Sequence, residues 1–113
     1  MSLTAIRRES HIQKAILQYL RLRNILCFRF NTGAVSVPVR GGKKARFVRY
    51  GVVGAADIIC WPFPNIGDTW WLEVKRPGAK QSPAQFAFEK LVTGHAHRYA
   101  KVSSLQEVID LFR

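Results

Sequence analysis

A chain of 113 residues and 12.9 kDa has room for one compact core and little for a second module, so a single domain over residues 1–113 is expected. With 48% apolar and 12% aromatic residues it can bury that core, which excludes intrinsically disordered, collagen-like and disulfide-stapled classes. Eighteen Lys and Arg against seven Asp and Glu leave a net charge of +11, the balance of a protein that meets a polyanion.

Cys27 and Cys60 stand far apart with no CxxC pair, which argues against a zinc ribbon or a secreted framework and suits a reducing cytoplasm. No apolar run approaches the ~18–20 residues of a membrane span, and Met1–Ser10 lacks the apolar stretch of a signal peptide, so a soluble intracellular protein is expected. The charge is unevenly spread. Between positions 10 and 56 there is no acid, while Lys14, Arg21, Arg23, Arg29, Arg40, Lys43, Lys44, Arg46 and Arg49 all fall there. No long amphipathic helix keeps an apolar face for lipid among them, so nucleic acid is the expected partner rather than a membrane.

Ile12, Ile16, Tyr19 and Leu20 recur at helical spacing and predict a first helix from about Ala5 to Arg23. Positions 9, 13, 16 and 20 share one side of it, which turns Glu9 and Gln13 toward the interior or a cleft. Ser10-His11-Ile12-Gln13 also reads as a capping box that would leave Glu9 outside the helix. Leu26, Phe28 and Phe30 alternate with Cys27, Arg29 and Asn31 as in a strand. Val35–Val39 and Phe47–Tyr50 flank Arg40-Gly41-Gly42-Lys43-Lys44, a hairpin or loop pattern. Core strands are expected from Ala56 to about Trp61 and from Thr69 to Lys75. Ser82-Pro83-Ala84-Gln85 combines an N-cap, a proline at the first helical position and a glutamine at the third, so a helix runs from Pro83 to Thr93 and stops at Gly94. His97–Val102 is the last strand, and Ser104-Leu105-Gln106-Glu107 opens a final helix through Phe112. The class is α/β: two consecutive strands close enough for an antiparallel hairpin, then a helical crossover to a parallel strand, giving a mixed sheet with flanking helices.

On the strand ending at Lys75, Glu73 and Lys75 share a face while Leu72 and Val74 turn to the core, so the charged pair is expected to face outward. A hairpin with the preceding strand would bring Asp57 alongside, and Glu9 could complete the group. Acids in a protein built to meet a polyanion repel the ligand unless a cation sits between them. Mg²⁺ or Mn²⁺ takes hard oxygen ligands from a few carboxylates, water and substrate phosphate, and a neighbouring lysine can help stabilise the charge that develops. The chemistry indicated is phosphodiester hydrolysis. E-x-K alone is a weak signal, and a surface ion pair explains it equally.

The early helix with Glu9, Asn31-Thr32-Gly33, Gly54-Ala55-Ala56-Asp57-Ile58, Trp71-Leu72-Glu73-Val74-Lys75 and Ser82-Pro83-Ala84-Gln85, in that order, resemble the virus-type replication-repair nucleases (VRR-NUC), a branch of the PD-(D/E)xK superfamily. The resemblance spans nearly the whole chain. It implies a restriction-endonuclease-like fold with an αβββαβ core. It further implies Glu9, Asp57 and Glu73 as ligands of Mg²⁺ or Mn²⁺ with the Val74 carbonyl, Lys75 as a catalytic residue, and Gln85 reaching the site, although a capping role explains Gln85 as well. Ala56 departs from the proline that the superfamily name anticipates. Stand-alone members resemble homodimers acting on branched DNA, which implies a two-fold assembly and a DNA endonuclease of the four-way junction type. The alternative is a non-catalytic basic module that binds nucleic acid. Arg40, Lys43, Lys44, Arg46 and Arg49 are the expected phosphate contacts. His11, His95 and His97 form no zinc pattern with the cysteines, and Trp61, Trp70 and Trp71 read as core or interface before base-stacking residues.

Overall fold

The computed structural model describes residues 3–30, 33–41 and 46–113, without the side chains of 3–7, 33–37 and 47–50. In chain order the elements are α1 (Leu3–Leu22), β1 (Leu26–Arg29), β2 (Gly33–Val37), β3 (Arg46–Tyr50), β4 (Ile58–Trp61), β5 (Trp70–Val74), α2 (Pro83–Gly94), β6 (Arg98–Val102) and α3 (Leu105–Leu111). Four strands form one mixed sheet in the order β1-β4-β5-β6, with β1–β4 and β4–β5 antiparallel and β5–β6 parallel across the α2 crossover. This is the α/β arrangement expected from the spacing of the elements.

Helices pack against both faces of the sheet. On one, Cys27, Ile58, Cys60, Leu72, Val74 and Val102 pack with Ile16, Leu17 and Leu20 of α1 and Val108 of α3. On the other, Ala56 and Trp71 pack with Phe88 and Val92 of α2. The central strand β5 is therefore buried on both sides from Trp71 to Val74, and fully buried side chains such as Ile16, Ile58 and Leu72 each contribute about 1.5–3 kcal/mol. Cys27 and Cys60 lie opposite each other across β1 and β4 as free thiols, and burial pushes the Cys60 thiol up to about 12.

Several boundaries differ from the sequence reading for physical reasons. α1 starts before Ser10, because Ala5 to Glu9 are helix formers with no Gly or Pro to stop them, so the Ser10 capping box is not used and Glu9 sits within the helix. Its end is a Schellman turn: Asn24 adopts φ 56°, Ile25 N–H donates to Leu20 O at 2.9 Å and Asn24 N–H to Arg21 O at 3.0 Å. α2 ends the same way, with Ala96 at φ 67° in the left-handed position, so Gly94 is the last helical residue and not the turn itself. Ser104 caps α3 as expected, yet Glu107 reaches one residue further back, accepting from Ser103 N–H at 2.7 Å. Finally, β2 and β3 pair only with each other, Val35 opposite Val48, in a two-stranded sheet inserted between β1 and β4. β2 ends at Val37 and not Val39, since Pro38 has no N–H for the ladder.

Candidate active site

Asp57 stands just ahead of β4, where its backbone is fixed from two sides: its N–H donates to Leu72 O at 3.1 Å, and its carbonyl accepts from Phe30 N–H at 2.8 Å. Its side chain is then aimed across the hairpin, and Oδ2 accepts from Val74 N–H at 2.8 Å. Glu73 precedes that amide. Strand parity turns Glu73 and Lys75 away from the Leu72 and Val74 side, as alternation requires, but the expected exposure is not found. Glu73 is 2% exposed and Lys75 8%, because the face they turn to is itself covered. α1 brings in the third acid: Glu9 Oε1 accepts from Arg76 N–H at 3.2 Å, tying the helix to the chain leaving β5.

Burial first, and then the mutual charge of the two carboxylates, pushes Glu73 up to about 9, opposed by the nearby Lys75 ammonium. Asp57 is raised by burial, and the Glu73 and Val74 hydrogen bonds work against that rise. Glu9 adds negative charge at both. Two close carboxyls in a low-dielectric setting share a proton more readily than both ionise. One oxygen, Glu73 Oε1, is buried with no hydrogen-bond partner. A buried orphan acceptor of this kind is costly unless something electropositive completes it.

Among the described residues no three His, Cys, Asp or Glu side chains form a ready metal cage. The donor set nevertheless fits a divalent magnesium-like ion, which is normally held by one or two carboxylates and otherwise by water and phosphate. Asp57 and the orphaned Glu73 oxygen would supply those carboxylates, with the Val74 carbonyl as a further hard oxygen. Glu9 stands within electrostatic range and is bonded to Arg76.

Gln85 completes a capping box: its Oε1 accepts from Ser82 N–H at 2.8 Å while Ser82 Oγ accepts from Gln85 N–H at 3.1 Å. Gln85→Ala should therefore lower stability by about 1 kcal/mol, whereas Gln85→Glu, which preserves the box, should not. Denaturant melts of the two variants check this. Cleavage lost in both would add a role at the site to the cap.

Two features escape a reading of the sequence. Gln81 Nε2 donates to Glu89 Oε1 and to the Tyr99 hydroxyl, each at 3.0 Å. Tyr99 lies opposite Trp71 on the parallel strand β6, and burial raises its phenol, with Glu73, Glu89 and Asp57 adding to the rise. Only the parallel register, set by a crossover of more than twenty residues, brings Tyr99 beside Glu73. The second is Gly54 at φ 81°, which lies against the Ala84 carbonyl at the start of α2.

The expected phosphate contacts are partly located. Arg40 and Arg46 are exposed on either side of the β2–β3 turn, Arg49 lies on β3 opposite Ala34, and Lys43 and Lys44, like Asn31 and Thr32 of the family pattern, lie outside the described residues. Trp70 and Trp71 are core residues, packing edge-on against Phe112 and Phe88 at 5.1 and 5.0 Å. Trp71 Nε1 also donates to His97 Nδ1 at 2.9 Å, so that imidazole is held in a structural contact.

No family model and no curated protein matches the chain. Among solved structures, one titled "VRR_NUC domain" superposes with a TM-score of 0.62 at 21% identity, covering 92% of this chain and 92% of that one. The fold is that of a VRR_NUC domain. In this VRR_NUC fold the carboxylate pair sits where the antiparallel β4–β5 hairpin meets the α2 side of the sheet, and α1 reaches it from the edge through Glu9.

Proposed function

We propose that the chain is a metal-dependent DNA endonuclease that hydrolyses phosphodiester bonds. The observation that carries this reading is the meeting of Asp57, Glu73 and Lys75 at one end of the sheet, with an orphaned buried carboxylate oxygen among them. The likeness to the VRR_NUC fold supports it.

A bound Mg²⁺ or Mn²⁺, held by Asp57, Glu73 and the Val74 carbonyl, would neutralise phosphate charge and lower the pKa of a coordinated water. Lys75, kept beside the two carboxylates by the β5 register, stabilises negative charge on the scissile phosphate. Val74 N–H holds the Asp57 carboxylate in one orientation, and Glu9 anchors the Arg76 backbone so that the Lys75 segment does not swing out. The basic residues of the β2–β3 insertion contact the flanking backbone. Branched DNA as substrate, a homodimer that presents two sites to two strands, and a cytoplasmic location suited to two free thiols complete the proposal.

Linear, nicked, flapped and four-way DNA incubated with Mg²⁺ or Mn²⁺ should be cleaved, with the branched forms cut fastest, while Ca²⁺ should support binding without turnover. Binding with no cleavage under any of these ions would favour a non-catalytic nucleic-acid module. Neutralising Lys43, Lys44 and Arg46 together should reduce the slope of log affinity against log salt by about 0.9 for each lost phosphate contact. An unchanged slope in anisotropy titrations would remove the insertion from the interface.

A further inference from the structure

α2 covers the second face of the sheet only over β5 and β6. The other half, over β1 and β4, carries no helix among the described residues. β1 is the edge strand, and from this face it presents Leu26 and Phe28, 58% and 53% exposed. Trp61, opposite Leu26 in the register, is half-buried and meets Phe28 edge to face at 6.2 Å, its indole N–H anchored on Thr69 Oγ1 at 2.9 Å.

This patch shares its face with the carboxylates. Phe28 pairs with Ile59, two residues along from Asp57, which places the Phe28 and Asp57 Cα atoms about 8 Å apart by strand geometry, and Trp61 about 13 Å from Asp57. The segments that border it, residues 21–29 and 59–67, hold no acid, and of their arginines Arg23 lies at the patch while Arg29 turns to the other face and donates to Gln13 of α1. Arg23 is fixed in place, donating to the Tyr19 hydroxyl at 2.8 Å with its guanidinium 5.7 Å from that ring. Together with Leu26, Trp61, Pro62 and Pro64 it lines a groove of about 270 Å³.

We infer that the Leu26–Phe28–Trp61 surface is a stacking platform for unpaired nucleobases, so that the substrate is nucleic acid in which single-stranded nucleotides adjoin the cleaved bond. The inference rests on the nuclease reading and names the substrate feature that site selects. Aromatic rings accept any base on their faces, and cations beside them take the phosphates, which is how single strands are held without sequence preference. Exposed apolar surface of this kind also suits a protein partner. A second copy of this chain, however, would bring Arg23 of the groove against its own symmetry mate, and like charges facing across an interface oppose it. An anionic strand has the complementary charge.

The test is anisotropy in Ca²⁺ with two probes, a blunt duplex and the same duplex with an unpaired overhang that carries 2-aminopurine. Phe28→Ala should weaken overhang binding about tenfold and relieve the quenching of 2-aminopurine, while leaving blunt-duplex binding within about twofold. Phe28→Tyr should restore both readouts. Equal weakening on the two probes, or no change on either, overturns the platform. A fall in sedimentation mass for Phe28→Ala also overturns it, by assigning the face to a second copy. Wild-type discrimination intact with no Mg²⁺-dependent cleavage overturns the nuclease reading alone, and cleavage intact with no discrimination overturns the platform alone.

Discussion

Glu73→Gln should abolish cleavage, by roughly 10³-fold or more, and at the same time make the metal-free protein more stable. The two effects come from one arrangement. Glu73 is 2% exposed, one of its oxygens has no partner, and Asp57 stands beside it, so the native fold holds a carboxylate that would rather be protonated. Its folded pKa of about 9 lies above the unfolded value of 4.5. The native state therefore binds the proton more tightly, and stability falls as pH rises from 4.5 toward 9. Glutamine has nearly the same shape and carries no charge. At about pH 8 the variant should be more stable than the wild type, by at most the roughly 5 kcal/mol that the two pKa values allow, and its stability should lose most of that pH dependence. Mg²⁺ or Mn²⁺ should raise the Tm of the wild type and leave Glu73→Gln unmoved, since a ligand stabilises only the state that binds it. A Glu73→Gln variant less stable than the wild type at about pH 8, or a wild type indifferent to both ions, would remove the site from this carboxylate pair.

Much of this arrangement is legible in the chain because it depends on local period. Alternation along Trp71-Leu72-Glu73-Val74-Lys75 places the acid and the lysine on one face, and the seven-residue break from Pro62 to Asp68 is short enough to force an antiparallel hairpin that brings Asp57 to Val74. Helical spacing likewise puts Glu9 and Gln13 on a common side, and in the structure each finds a partner across the fold, Arg76 N–H and the Arg29 guanidinium. What the sequence hides is tertiary. Burial of Glu73 and Lys75 is not foreseeable, because a strand's period says which face a residue takes, not whether another layer covers it. Tyr99 and Gln81 depend on the parallel β5–β6 register. Which part of the sheet's second face α2 covers depends on how far that helix extends, which no residue on β1 encodes.

Gly54→Ala should have the largest effect of any small substitution outside the carboxylates, through a contact invisible in sequence. Gly54 has φ 81°, and a Cβ there would fall inside the Ala84 carbonyl group and within 2.9 Å of the Ala84 Cβ. The obstacle is backbone in the first turn of α2, so it cannot rotate aside. Either α2 lifts from the sheet, loosening Phe88 and Val92 from Trp71, or the segment from Gly54 to Asp57 is displaced. Gly67 separates this clash from conformational strain, since it has φ 77° and a methyl group added to it would meet nothing within 4 Å. Gly67→Ala should lose about 1 kcal/mol for the left-handed backbone alone, and Gly54→Ala about 3 kcal/mol or more. Urea unfolding measures the difference. Because Asp57 lies three residues downstream and its backbone is pinned between Phe30 and Leu72, Gly54→Ala should also slow cleavage at temperatures where it remains folded, whereas Gly67→Ala, at the far end of the hairpin, should not. Equal losses of stability in the two variants would mean that α2 yields freely, and that the close approach of Gly54 to Ala84 does not hold the helix over the site.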